Sequence, residues 1–145
     1  MPSSSKFEVQ PGLPVLKAQP APISLEVACS SLDELWSPRV VGQVNNQYIK
    51  VARVQGEFPW HSHEDEDEMF LVLRGVLRIG RAEADGGPVL VHSGEFFVVP
   101  RGVSHNTSAE EETWVALIET VTTLHTGSEQ TPLTRSIEEQ LGPRI

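Results

Sequence analysis

His61-Ser62-His63 places two imidazoles at alternate positions. In an extended strand, residues i and i+2 project from one side, about 6–7 Å apart along the backbone, so both rings would face the same way. Such a pair alone means little, since histidines in β-proteins are often surface groups or satisfied core groups. Glu68 follows after four residues, where a turn could return a carboxylate beside the pair; Glu66 offers the same group within the acidic run Glu64–Asp67. His105 lies far along the chain, just past Pro100-Arg101-Gly102. Three neutral imidazoles and one carboxylate form a borderline N3O donor set. It suits Fe(II), Mn(II), Ni(II), Cu(II) or Zn(II) rather than Ca(II) or Mg(II). A set of this kind leaves one or two positions open to a substrate, which separates a reactive centre from a closed structural one.

Short strands must position these residues. Tyr48 to Gln55 alternates and stops at Gly56; Tyr48 and Arg53 fall on opposite parities, so at most one faces an interior. Glu68 to Arg74 is apolar on both parities, as in a strand buried on two sides. Gly75 interrupts it and Val76–Gly80 resumes, which predicts a hairpin with a tight glycine turn. Asp85-Gly86-Gly87-Pro88 is a turn cluster, Val89–Val91 and Phe96–Val99 are further strands, and Trp114–Val121 is the last. Six or seven short strands spaced by about ten residues indicate a sandwich or barrel. Before them, Pro11, Pro14, Pro20 and Pro22 argue against helix over residues 1–27, and Ser30–Trp36 reads as a single helical turn. After them, Thr131-Pro132 predicts the start of a short helix with Leu133, Ile137 and Leu141 on one face, ended by Gly142-Pro143.

Gly56-x4-His61-x-His63-x4-Glu68-x6-Gly75 resembles the first motif of the cupin superfamily, and Gly94-x5-Pro100-x-Gly102-x2-His105 resembles the second. Eighteen residues separate the two, near the short spacing of small single-domain cupins. The first motif is one residue short between Gly56 and His61, and Ala109 stands where the second usually has asparagine. The resemblance implies an all-β fold: a single cupin-type β-barrel (a double-stranded β-helix or jelly roll) over residues 45–121. Residues 1–44 would form an extended arm on the barrel or on a partner subunit, and 122–145 a tail with a short helix. It implies that His61, His63, Glu68 and His105 hold one divalent transition metal (Fe, Mn, Ni, Zn or Cu). Gly75 and Gly94 would take positive φ at turns, with Gly102 bending the chain into the strand of His105.

Trp60, Phe70 and Val72 are the expected pocket residues: Phe70 and Val72 share parity with Glu68, and Trp60 adjoins the histidine pair. His92 and His125 are expected to be exposed, the acidic run to be a solvated loop, and Cys29, the lone cysteine, to be a small filler. The chain has 145 residues with 39% hydrophobic and 21% charged, enough for one domain. A formal charge of −9 opposes binding to nucleic acid or an anionic membrane, both of which demand clustered Lys and Arg. With no signal peptide or 18-residue apolar stretch, a cytoplasmic protein is expected. Apolar residues on both strand faces predict a homodimer. The resemblance implies a metal-dependent enzyme acting on a small oxygen-bearing metabolite, of isomerase, lyase or dioxygenase type. The alternative is a non-catalytic module that binds or senses a small molecule.

Overall fold

The alternating segments form a seven-stranded antiparallel sheet in a computed structural model that describes residues 19–127 and 129–142. Its strands are β1 (Arg39–Val44), β2 (Gln47–Glu57), β3 (Glu68–Arg74), β4 (Val76–Arg81), β5 (Val89–His92), β6 (Phe96–Val99) and β7 (His105–Thr120). The order is β1-β2-β7-β3-β6, with β4 paired to β7 and to β5. Strand β7 is the spine. On one side β2 pairs along it from Gln47↔Thr120 to Glu57↔Ser108. On the other side β3 takes its second half, Glu68↔Glu119 to Arg74↔Trp114, and β4 its first, Arg78↔Ser108 to Arg81↔His105.

This register corrects the hairpin expected at Gly75. Strands β3 and β4 run end to end along β7 and do not pair with each other. Gly75, at φ +93°, is the kink between them, where an added Cβ would meet Thr113 Oγ1 at 2.5 Å. The reversal comes instead at Ala82–Pro88, where a 3₁₀ turn over Glu83–Asp85 and the left-handed Gly86 and Gly87 return the chain. Strands β5 and β6 then run back along β4 and β3, bending at Gly94 (φ +84°), whose N–H donates to Val72 O at 2.8 Å.

Three other expectations shift. The first helix, α1, spans Leu25–Ser30, ahead of the predicted turn. Ser24 is its N-cap, its hydroxyl accepting from Val27 N, and no proline follows Pro22 to interrupt it. Ser30 and Ser31, expected to open the predicted turn, instead donate to Val27 O and Ala28 O at the C-terminal end of α1. Strand β1 lies inside the segment assigned to the arm; residues 1–18 of that arm fall outside the described residues. The C-terminal helix, α2, covers Ile137–Leu141 and starts at a Ser136–Glu139 capping box, not at Pro132. Thr131 instead uses its hydroxyl to cap a turn at Leu133 N.

One sheet face encloses a core that includes Ala52, Val54, Phe58, Phe70, Val72, Leu77, Ile79 and Val115, each fully buried aliphatic side chain contributing about 1.5–3 kcal/mol. On the other face Cys29 of α1 and Leu32 just beyond it cover Val51. No helix among the described residues is long and apolar enough to cross a membrane.

Candidate metal centre

Backbone pairing brings the distant histidine to the pair. His61 and His105 form an antiparallel bridge, His61 N donating to His105 O at 3.0 Å and His105 N to His61 O at 2.9 Å. Gly102, at φ +79°, places its N–H 2.8 Å from His63 O, so the turn before His105 also anchors the second imidazole. Glu68 opens β3, held by pairing with Val99 and Glu119 on either side. One donor atom from each of His61, His63, Glu68 and His105 lies within 4.8 Å of all the others, and all four residues are buried.

Hydrogen bonding orients the donors. His61 Nδ1 donates to Pro59 O at 2.9 Å and His105 Nδ1 to Val103 O at 3.0 Å, since a carbonyl only accepts. In the neutral tautomers this leaves Nε2 of both rings as lone-pair donors aimed at the centre. His105 Nε2 is 3.3 Å from Glu68 Oε1, and His63 Nε2 is 3.4 Å from the same oxygen. His63 Nε2 is buried yet has no hydrogen-bond partner. Such an orphan costs about 1–3 kcal/mol unless something else meets it. A first-row ion holds imidazole and carboxylate donors at about 2.0–2.2 Å, so inward shifts of under an ångström would satisfy all four groups on one ion. The residues fit a transition metal.

Burial pushes His61 down to about 4, helped by the adjacent His105. Burial alone would lower His105 as well, but the Glu68 carboxylate beside it carries the balance upward. Burial would raise Glu68; the neighbouring Glu119 carboxyl and the two imidazoles outweigh it and hold Glu68 well below the usual carboxylate range. Glu119 moves the other way, raised by burial and by the charge of Glu68 against the pull of Lys50. The centre therefore favours neutral His61 and ionised Glu68, the states in which both can ligate.

An apolar cavity adjoins the centre, walled by Trp36, Ala52, Val54, Phe58, Phe70, Leu77 and Val115, with His61, Glu68, Thr107, Glu119 and His125 as its polar groups. Its volume is about 40 Å³, room for about three waters or a ligand of a few atoms. Of the residues expected to line it, Phe70 does. Val72 is buried in the core but lies outside the lining, and Trp60 is 52% exposed outside the cavity. The aromatic wall is instead Trp36 stacked on Phe58, ring centroids 4.9 Å apart. Glu66 is turned away and accepts from Thr122 Oγ1. The even parity of β2 faces inward, so Tyr48 is buried while Arg53 pairs outside with Glu112.

His92 is exposed, but His125 is not the free tail residue expected: it lines the cavity, its ring 5.0 Å from Phe58. Its Nδ1 accepts from Arg135 N at 2.8 Å, which puts the proton of the neutral ring on Nε2, and burial pushes it down to about 4. Sequence reasoning also passed over Glu119 and its partner Lys50. Both carried a signal: each is a charge on the apolar, inward parity of its strand, Lys50 with Ala52 and Val54, Glu119 with Val115 and Leu117.

Comparison with known proteins bears on the fold and the family. The chain is 31% identical over 67 residues to the uncharacterized protein YdbB of Bacillus subtilis (strain 168), covering 46% of this chain and 58% of that protein, so little more than half of that relative's length is spanned. Among solved structures, a cupin-2 domain containing protein from Shewanella frigidimarina NCIMB 400 is 37% identical, with TM-score 0.64 over 68% of this chain and 93% of that one. Protein NMB1881 from Neisseria meningitidis is 26% identical, with TM-score 0.62 over 69% of this chain and 99% of that one. Hydroquinone 1,2-dioxygenase from Sphingomonas sp. TTNP3 superposes with TM-score 0.56 over 67% of this chain and 72% of that one; at 16% identity it speaks for the fold alone. The cupin domain model matches residues 49–121, half of the chain, from within β2 to just past the end of β7, and on that ground the chain belongs to the cupin family.

Proposed function

We propose that this cupin is a metal-dependent enzyme acting on a small oxygen-bearing metabolite, with one divalent transition metal held by His61, His63, Glu68 and His105. The observation that carries the reading is the buried His63 Nε2, which makes no hydrogen bond, converging with three other donors. A bound ion of this kind supplies Lewis acidity toward a ligand oxygen or a centre for O₂ chemistry, which spans isomerase, lyase and dioxygenase reactions. The chain's own part is to hold the ligand. The wall from Trp36 to Phe70 excludes water, while His125, its Nδ1 occupied by Arg135 N–H, offers an Nε2–H donor to a polar group of the substrate.

The narrow cavity supports a second reading, a non-catalytic module that binds a molecule of a few atoms. Assay of the metal-loaded protein on a panel of sugar, diketone and thiol substrates, beside His61→Ala, separates the two. Turnover by the wild type that disappears in the variant supports the enzyme. Stoichiometric metal with ligand binding and no turnover supports the module.

A further inference from the structure

The inward face of β2 and β7 carries a polar cluster that the ligand set does not use. Lys50 is 1% exposed and Glu119 3%, with Nζ 2.5 Å from Glu119 Oε1. The same Nζ donates to Gln140 Oε1 at 2.5 Å; Gln140 is 2% exposed, and its Nε2 donates to Arg135 O at 2.9 Å. Gln140 belongs to α2, so the C-terminal helix reaches into the barrel through this contact. On the other side of the cluster, Glu119 stands directly opposite Glu68 in the β3–β7 register, both side chains facing the cavity. Paired residues in such a ladder have Cβ atoms about 4.5–5.5 Å apart, within a carboxyl's reach of the same ion. Glu119 Oε2 is buried and has no hydrogen-bond partner.

A buried ion pair is a poor stability device, because desolvation of both charges consumes most of the Coulomb gain and apolar residues of similar volume do as well. We propose that Lys50, braced by Gln140, is a positioning residue that holds Glu119 back from the metal centre, so that Glu68 remains the only carboxylate ligand and a coordination position stays open. The proposal rests on the metal-centre reading above. It gives α2 a role: docking of the C-terminal helix sets how many ligands the ion takes.

The test is Co(II) titration of the metal-free full chain, followed by absorption in the visible d–d region, for wild type, Lys50→Met, Gln140→Leu and the double variant Lys50→Met/Glu119→Gln. Released from Lys50, Glu119 joins the ion. Lys50→Met is expected to bind Co(II) about tenfold tighter, the scale of changes just outside the ligand set, and to lose d–d intensity as coordination number rises. Gln140→Leu should move the same way by a smaller amount, and it provides the reading if Lys50→Met does not fold. The double variant should return to the wild-type spectrum, a rescue that a merely structural role of Lys50 would not give. Variants within twofold of wild type in affinity and unchanged in spectrum, or a double variant that stays shifted, would overturn the positioning role alone. Absence of Co(II) uptake by the wild type would overturn the metal reading and this proposal together.

Discussion

Replacing His63 by leucine separates a metal ligand from an ordinary core histidine. In the metal-free protein His63 Nε2 is buried and makes no hydrogen bond, its nearest acceptor being Glu68 Oε1 at 3.4 Å, a burden of about 1–3 kcal/mol. Leucine brings similar volume and no polar atom. After a packing loss of up to about 1.5 kcal/mol, the metal-free variant should be as stable as wild type or about 1 kcal/mol more stable. For a chain of this length that is a rise of about 3 °C in Tm. Metal should invert the order. At free ion of about 100 times Kd, binding to the native state alone adds about 2.7 kcal/mol, or about 8 °C, to the wild type. Loss of one of four donors should abolish most of that rise. Calorimetric melts of both proteins, in chelator and then in Zn(II), read all four values. A metal-free variant that loses about 3 kcal/mol or more, as at a well-packed core residue, while keeping the Zn(II)-dependent rise, would refute a ligand role for His63.

Other outcomes follow from the same geometry. His125 titrates at about 4 in the fold against about 6.5 unfolded, so between those values the unfolded chain binds the extra proton and stability rises with pH. Its share, complete above about pH 6.5 and lost as pH falls toward 4, is about 3 kcal/mol, and His125→Phe should flatten the denaturation profile by that amount; an unchanged slope would contradict the burial argument. Gly75→Ala, forced to φ +93° with its Cβ against Thr113 Oγ1, should cost about 2 kcal/mol or more by urea denaturation, and a loss below about 0.5 kcal/mol would count against that close approach. Leu90, Phe96 and Val98 are exposed on β5 and β6, at 59%, 61% and 40%, and their burial against a second copy predicts a dimer by light scattering. A monomer at micromolar concentration would contradict that arrangement.

The clustering of the four donors was legible from the two glycine-framed motifs that resemble the cupin pattern. In the fold His61 and His63 lie in the connection between β2 and β3, outside any strand, and the Pro100–Gly102 turn delivers His105 to its bridge with His61. The strand segments were legible from their alternation and apolar runs, down to the bounds of β3. What escaped depends on long-range pairing. The first half of β7, Asn106 to Thr113, is polar and has no apolar alternation, yet β2 and β4 complete its ladders. Strand β1 is short and is recruited by β2 alone. Gly75 looks like a hairpin turn in one dimension, and only β7, spanning both halves, makes it a kink. The tail carried no periodic signal to bring His125 against Phe58 or Gln140 onto Lys50; those contacts exist because the barrel offers them partners.

Zinc titration of the metal-free protein by calorimetry, with element analysis of the product, tests the central claim most directly. About one ion per chain is expected for the wild type and no specific binding by His61→Ala, which lacks the Nε2 donor. A wild type that takes up no stoichiometric transition metal, or a His61→Ala variant that binds as tightly, would contradict it.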